Sequence, residues 1–241
     1  MKLIKYCEEK FNYSKSEKIQ IGTLDYYRNH DNKFIADPGE CIGGPYSIKP
    51  NSSPAEISQG FIKQIGGGIT FQGAMYDTPV ITIESGGVLI INKKLKFPNV
   101  YIFCCSYEES PNIKTAKGLG YNSWYEIDDP DQFMKEIQNG FPEVAKLTFK
   151  GAVTTDVKHI HGPVNYCSRE NQVFENEFNL IKNLLFTKAG ISEKDETVSY
   201  EKNKEYRFVW LFTNNTTNAV MDVEEDPILV RNSAALKTTL K

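Results

Sequence analysis

Short β-rich runs dominate the chain. Strands are predicted over Lys18–Leu24, Gly68–Gln72, Pro79–Glu84, Gly87–Asn92, Val100–Ser106, Ser123–Ile127, Lys146–Thr155, Tyr206–Phe212 and Pro227–Val230, each bounded by turn residues. A helix is signalled where Asp129 can cap, Pro130 opens the first turn and Gln132 follows three residues after the cap. Phe133 and Ile137 then share one face up to Gly140, which predicts a helix over Pro130–Asn139. A second helix is predicted between Ser168 and Gly190, where Phe174, Phe178, Ile181 and Leu185 recur at intervals of four, three and four. Leu3, Cys7 and Phe11, four apart, predict a third over Lys2–Asn12.

The stretch Asp37–Gly60 is rich in proline and glycine in a polar setting and reads as a long loop or lid. No repeat interrupts the rest, and 241 residues with 40% hydrophobic content can build one core, so residues 1–241 are read as a single domain. Strands and helices do not alternate regularly, which argues against a doubly wound parallel sheet. The expected fold class is α+β, with a mixed or antiparallel sheet and flanking helices.

Charge narrows the range of partners. Lys and Arg total 28 against 31 Asp and Glu, so no global basic field draws the protein to nucleic acid or an anionic membrane. A polyanion site would have to be local, for example a groove built from Lys114, Lys117 and Lys158. The apolar runs at Val88–Asn92 and Val100–Cys105 fall far short of the roughly 20 residues of a spanning helix, and Glu8 interrupts any early signal-peptide core. Five cysteines without a repeated spacing fit a reducing compartment, so a cytoplasmic location is expected.

Three segments carry candidate chemistry. In Tyr200–Phe212, alternation puts Tyr206, Phe208, Trp210 and Phe212 on one aromatic core face, with Glu205, Arg207, Val209 and Leu211 on the other. Glu205 then borders a cleft or forms a surface ion pair with Arg207. A second run, entering as a strand at Lys18, ends in Tyr26, Tyr27 and Arg28, suited to stacking on a ring and forking a phosphate, or to packing and a local ion pair. The third places Ser106 at the end of an apolar strand, where a hydroxyl faces out of the core. His159 and His161 are read as part of a loop, and with Cys167 they do not complete a zinc set. No phosphate loop, dinucleotide fingerprint, GxSxG, HExxH or kinase signature occurs.

In their order, the segments IQIGTLDYYR, ADPGE, YIFCCS, GPVNY, LLFTKAG and YEKNKEYRF resemble the bacterial ADP-ribosyltransferase-like families found beside toxin and phage-defence genes. The resemblance runs from about Lys18 to Phe212 and rests on a strand ending in Arg, a strand ending in Ser and a late strand led by Glu. It implies a split, mostly antiparallel sheet with NAD as the substrate in the cleft. Arg28 would hold its phosphates or ribose, Ser106 would brace the site, Tyr26 or Tyr27 would stack on nicotinamide, and Glu205 would bond the ribose hydroxyl. The serine-threonine-serine strand of that family reads Cys104-Cys105-Ser106-Tyr107 here. Its glutamate pair reduces to Glu205, with Glu201 as the alternative second carboxylate, which leaves the acceptor open between a nucleic acid and a protein.

The leading expectation is therefore an NAD-dependent ADP-ribosyltransferase acting as a toxin or phage-defence effector under the control of an antitoxin protein. An alternative is a catalytically inactive nucleotide- or partner-binding domain of the same fold, with Glu205 and Arg207 as an ion pair. A third is a nuclease that gathers Asp37, Glu40 and Glu205 around a divalent ion.

Overall fold

The chain opens with a strand where the four-residue spacing predicts a helix. In the computed structural model, which describes residues 2–31, 41–43, 46–48, 81–84, 88–91, 95–118, 120–148, 155–167, 172–174, 177–188, 204–214, 220–224, 226–231 and 233–241, β1 spans Lys2–Cys7 and a single 3-10 turn follows at Glu9–Phe11. Leu3 and Cys7 satisfy a period of two as well as a period near four. Ile4 and Tyr6 between them are also buried, which a helix with one apolar stripe would not require.

Next come β2 (Lys18–Thr23), α1 (Leu24–Asn29), β3 (Ile42–Gly43), β4 (Tyr46–Ile48), β5 (Ile81–Glu84), β6 (Val88–Ile91) and β7 (Leu95–Lys96). They are followed by β8 (Tyr101–Glu108), α2 (Ile113–Gly118), β9 (Ser123–Ile127), α3 (Pro130–Thr148), β10 (Thr155–Pro163), β11 (Asn165–Tyr166) and β12 (Gln172–Phe174). The last elements are α4 (Glu177–Phe186), β13 (Thr187–Lys188), β14 (Glu205–Asn214), β15 (Ile228–Arg231) and α5 (Ala234–Lys237). The expected strand at Gly68–Gln72 lies outside the described residues. Within Asp37–Gly60, the described parts include two short strands: β3 pairs β7, and β4 pairs β6 and β12.

The main sheet runs β10-β14-β8-β1-β9 and is antiparallel throughout, while β11–β13 and β12–β4 are parallel. Its organising feature is a fork at β8. One edge of β8 is covered by β14 from Tyr101 to Ser106. The opposite edge is shared: β2 takes Tyr101 and Ile102, and β1 takes Ser106, Tyr107 and Glu108. From that edge the pairing branches into β2–β15 and β1–β9.

Both faces are packed. Phe103, Phe208, Trp210 and Phe212 meet α3, whose Phe133, Ile137 and Phe141 are buried at four-residue spacing. Phe141 stacks on Tyr101 at 5.6 Å and meets Trp210 and Phe212 edge-on. On the other face Ile102, Val209 and Leu211 pack with Leu24 of α1 and with Leu184, Leu185 and Phe186 at the end of α4. Asp129 caps α3 as expected, its Oδ1 accepting from the Gln132 amide at 2.9 Å.

Three boundaries move. Helix α3 runs through Gly140 to Thr148, so the strand placed at Lys146–Thr155 begins only at Thr155. The second helix starts at Glu177, because Phe174 belongs to β12. His159 and His161 lie in β10, where they oppose Trp210 and Phe208, and not in a loop. Lys114 and Lys117 sit on α2, whose Ala116 packs on β1, whereas Lys158 is on β10, three strand positions away or roughly 14 Å. The three lysines do not form one groove. Among the described residues, no helix is long and apolar enough to cross a membrane.

Gly140 does not end the helix because its task is close approach. A Cβ at this position would come within 2.5 Å of Val230 Cγ1 on β15, a buried and stiff side chain. Gly140→Ala should therefore destabilise the protein by about 1–2 kcal/mol, overpacking outweighing the roughly 1 kcal/mol gain in helix propensity. Urea denaturation measures this, and Val230→Ala in the same chain should recover much of the loss.

Candidate functional site

Two neighbouring arrangements hold the residues singled out in the sequence. The first sits where β8 and β14 pair. Ser106 and Glu205 are directly opposite across these strands and so share a face. Both are buried. The Glu205 carboxylate is fully engaged: Arg207 Nε donates to Oε1 at 2.6 Å and Lys188 Nζ donates to Oε2 at 3.1 Å. Arg207, two residues along the same face, also donates from Nη1 to the Leu185 carbonyl at 2.6 Å. The Glu205 amide donates to Tyr166 Oη at 3.1 Å, and its carbonyl accepts from the Val164 amide at 2.9 Å.

The electrostatics follow from that geometry. Burial pushes the Glu205 carboxyl upward, but the Arg207 and Lys188 charges and their hydrogen bonds outweigh it and hold it well below the usual range. Burial, joined by the Glu205 charge, raises the Tyr166 phenol despite its bond to the Glu205 amide. Glu205 is thus an anion clamped between two buried cations. Lys204, just before it, takes a left-handed φ of 40°, and its carbonyl accepts from the Tyr107 amide at 2.9 Å, fixing the entry into β14.

The second arrangement is a cavity of about 250 Å³ in the fork. Its walls come from β1 (Lys5, Tyr6), α1 (Tyr26, Tyr27) and the approach to β9 (Tyr121), with Tyr125 and Phe103 beneath. Five tyrosines therefore surround it. Gly22 of β2 brings α1 close: a Cβ there would stand 2.8 Å from Tyr27 Cε2. Tyr26 and Tyr27 meet edge-on at 5.3 Å. Burial raises both phenols, Tyr27 well above its ordinary value, and the Glu205 charge contributes to the Tyr27 shift.

Lys5 explains how the fork is tolerated. Its Nζ donates to the Cys104 carbonyl at 2.7 Å, at the point where β1 and β2 part from β8, and lies 4.4 Å from the centre of the Phe103 ring. A side chain thereby takes a backbone acceptor at the place where the neighbouring strands separate. Prediction of a helix over Lys2–Asn12 concealed this residue. The signal that could have found it is the alternation in KLIKYC, which sets a single lysine among strand positions buried on both faces.

The structure thus brings Ser106 to Glu205, and Tyr26 to Tyr27, and of these four only the tyrosines line the cavity. Arg28, Ser106 and Glu205 are not among the residues lining the cavity. Arg28 is carried by α1, not by a strand end. Its Nη1 donates to Asp25 Oδ1 at 2.6 Å and its Nη2 to the Phe97 carbonyl at 3.2 Å, so the buried fork binds protein groups. The carboxylates Asp37, Glu40 and Glu201 lie outside the described residues. Among the described residues, no group of three His, Cys, Asp or Glu side chains is placed to hold a metal ion.

Because the folded state lowers the Glu205 pKa, its contribution to stability is present above the unfolded value of about 4.3 and is lost as pH falls below it. Glu205→Gln, which leaves Arg207 and Lys188 buried without their anion, should cost about 3–5 kcal/mol at pH 7. In denaturation series taken from pH 7 to pH 3, the gap between wild type and variant should narrow below about pH 4.3. Against protein-family models, curated proteins and solved structures the chain finds no match, and the assignment of the cleft rests on its own geometry.

Proposed function

We propose that this protein binds a nucleotide in the cleft at the fork, and that Glu205 serves the fold and not a reaction. The observation that carries this reading is the clamp: both Glu205 oxygens are taken by buried cations, and the residue does not line the cavity. The cleft offers flat aromatic walls and the Lys5 ammonium, the combination that takes a planar ring with a polar substituent. Its volume of about 250 Å³ is below the roughly 300–1,000 Å³ typical of pockets for drug-sized ligands. It therefore suits one base or nicotinamide ring with its sugar better than a whole dinucleotide.

A second reading is favoured by a specific observation, the placement of Ser106 opposite Glu205 on adjacent strands. This is NAD-dependent ADP-ribosyl transfer to a nucleic acid or protein, with the toxin or phage-defence role and the antitoxin partner that the resemblance implies. Cleavage of the nicotinamide–ribose bond develops positive charge on the ribose, which a fixed carboxylate stabilises. Under this reading Glu205 must exchange Lys188 or Arg207 for the ribose hydroxyl, and Arg28 must exchange Asp25 for a phosphate.

One experiment separates the two. Purified protein is dialysed against NAD, nicotinamide mononucleotide and ADP-ribose, and nicotinamide release is followed with and without RNA, DNA and cell lysate. The expected result is binding without release, weakened about 5- to 150-fold by Tyr26→Ala, the equivalent of roughly 1–3 kcal/mol for a lost stacking partner. Release that disappears in a folded Glu205→Gln variant would establish the transferase instead. Failure of all three nucleotides to bind would remove both readings.

A further inference from the structure

A separate constellation lies where α3 meets the edge strand β10. His161 of β10 is registered opposite Phe208 of β14, and its ring lies nearly parallel to that phenyl, with centroids 5.6 Å apart and an interplanar angle of 22°. Tyr206, two residues before Phe208, shares that face of β14. Its hydroxyl is 2.5 Å from His161 Nδ1. On the far side of the imidazole, Nε2 lies 3.0 Å from Oδ1 of Asp131, in the first turn of α3. Asp131 is exposed, while His161 and Tyr206 are half-buried, so the group reaches solvent. None of the three lines the cavity at the fork.

The direction of the hydrogen bonds is set by chemistry. An ionised carboxylate can only accept, so Nε2 carries the imidazole proton. In the neutral ring Nδ1 is then the acceptor, and the Tyr206 hydroxyl must donate to it. A hydroxyl that donates to a histidine oriented by a carboxylate is the arrangement of a base-assisted nucleophile. Burial raises the Tyr206 phenol above its ordinary value, with Cys105 and Asp131 adding to the effect, so unassisted ionisation is disfavoured. Nearby, His159 donates from Nδ1 to the Gln138 side-chain carbonyl, and it lies within the electrostatic influence of Lys135, a cation on the exposed face of α3.

We propose that Tyr206 is the nucleophile of a second site, with His161 as its base and Asp131 as a positioning residue, and that the site takes an activated phosphoryl group. In the step, Tyr206 Oη forms a bond to phosphorus and the bond from phosphorus to its leaving group breaks, the leaving group departing with the electron pair. The phenolic proton passes to His161 Nδ1, and Asp131 balances the imidazolium charge. Lys135, exposed and one helical turn after Asp131 on α3, adds a positive charge to the rim of the site that suits an anionic substituent.

The probe is diisopropyl fluorophosphate, whose leaving group is fluoride, with the labelled site mapped by peptide mass spectrometry across the 13 tyrosines. Tyr206 should be labelled about 100-fold faster than the other tyrosines, within the range that general-base assistance contributes. His161→Phe keeps a ring over Phe208 and removes both hydrogen bonds, so it should reduce Tyr206 to the background rate. Asp131→Asn, at an exposed helix position, should slow labelling about tenfold with no change in melting temperature, and Asp131→Glu should restore part of it. Labelling that ranks the tyrosines by exposure alone, or that is unchanged in Asp131→Asn and His161→Phe, would overturn the proposal and leave the three residues as a tie between α3 and the sheet.

Discussion

Everything in this protein turns on how β8 satisfies its two edges. One edge is filled by β14, the other by two strands that each pair with only part of it. A sheet twists, and two strands that each pair with only part of a third leave a gap between them. Here the gap becomes the cavity, because α1 and the approach to β9 cover it with tyrosines and do not fill it with aliphatic side chains. Lys5 makes the arrangement affordable by bonding the Cys104 carbonyl beside the gap. Without that donor a part-buried acceptor would have to find water or distort the strand, at a cost of about 1–3 kcal/mol.

The same strand pair also carries the buried charges. Along β14, Phe208 to Phe212 is buried on both faces, and at the end nearest Ser106 the end of α4 and the β11–β13 pair supply the contacts to Glu205 and Arg207. There the chain places Glu205, Arg207 and Lys188 in mutual contact. Three buried charges stabilise a fold only when each has a partner. Lys188 and Arg207 share the Glu205 carboxylate, and Arg207 also donates to the Leu185 carbonyl. Such a group fixes the register of β14 on β8 tightly, since a slip of one residue would send Glu205 and Arg207 into the aromatic face.

The sequence makes the strands legible where apolar residues run without a competing period. Ser123–Ile127 is a strand with its predicted limits, and the limits of Val100–Ser106 and Tyr206–Phe212 each move by only one or two residues at either end. Legibility fails where a pattern satisfies two periods at once, as Leu3 and Cys7 do, or where a glycine serves packing and not termination, as Gly140 does. Of the site, Ser106 and Glu205 as separate candidates, Arg207 on the Glu205 face and the aromatic dipeptide Tyr26–Tyr27 could be read, but the register that sets Ser106 opposite Glu205 could not. Lys188 and Phe97 could not, because they reach Glu205 and Arg28 through tertiary contacts that leave no local spacing, whereas Asp25 is the i,i+3 helix neighbour of Arg28 and shows as its partner only once Leu24–Asn29 is a helix. His161 was hidden for the same reason: HIH in isolation says nothing of the strand beside it or of Asp131 thirty residues earlier.

The division of labour between the two faces follows from composition. On the α3 face the sheet is aromatic, and its polar members stand at the rim, where Tyr206 and His161 can keep one side on phenylalanine and the other toward water. On the opposite face the polar members are ionic and buried, and they neutralise one another. A group that must move a proton needs a partner it can release, which a half-exposed imidazole offers and a doubly clamped carboxylate does not. This contrast in freedom, more than the identity of the residues, is what the proposed assignment of Glu205 to the fold rests on.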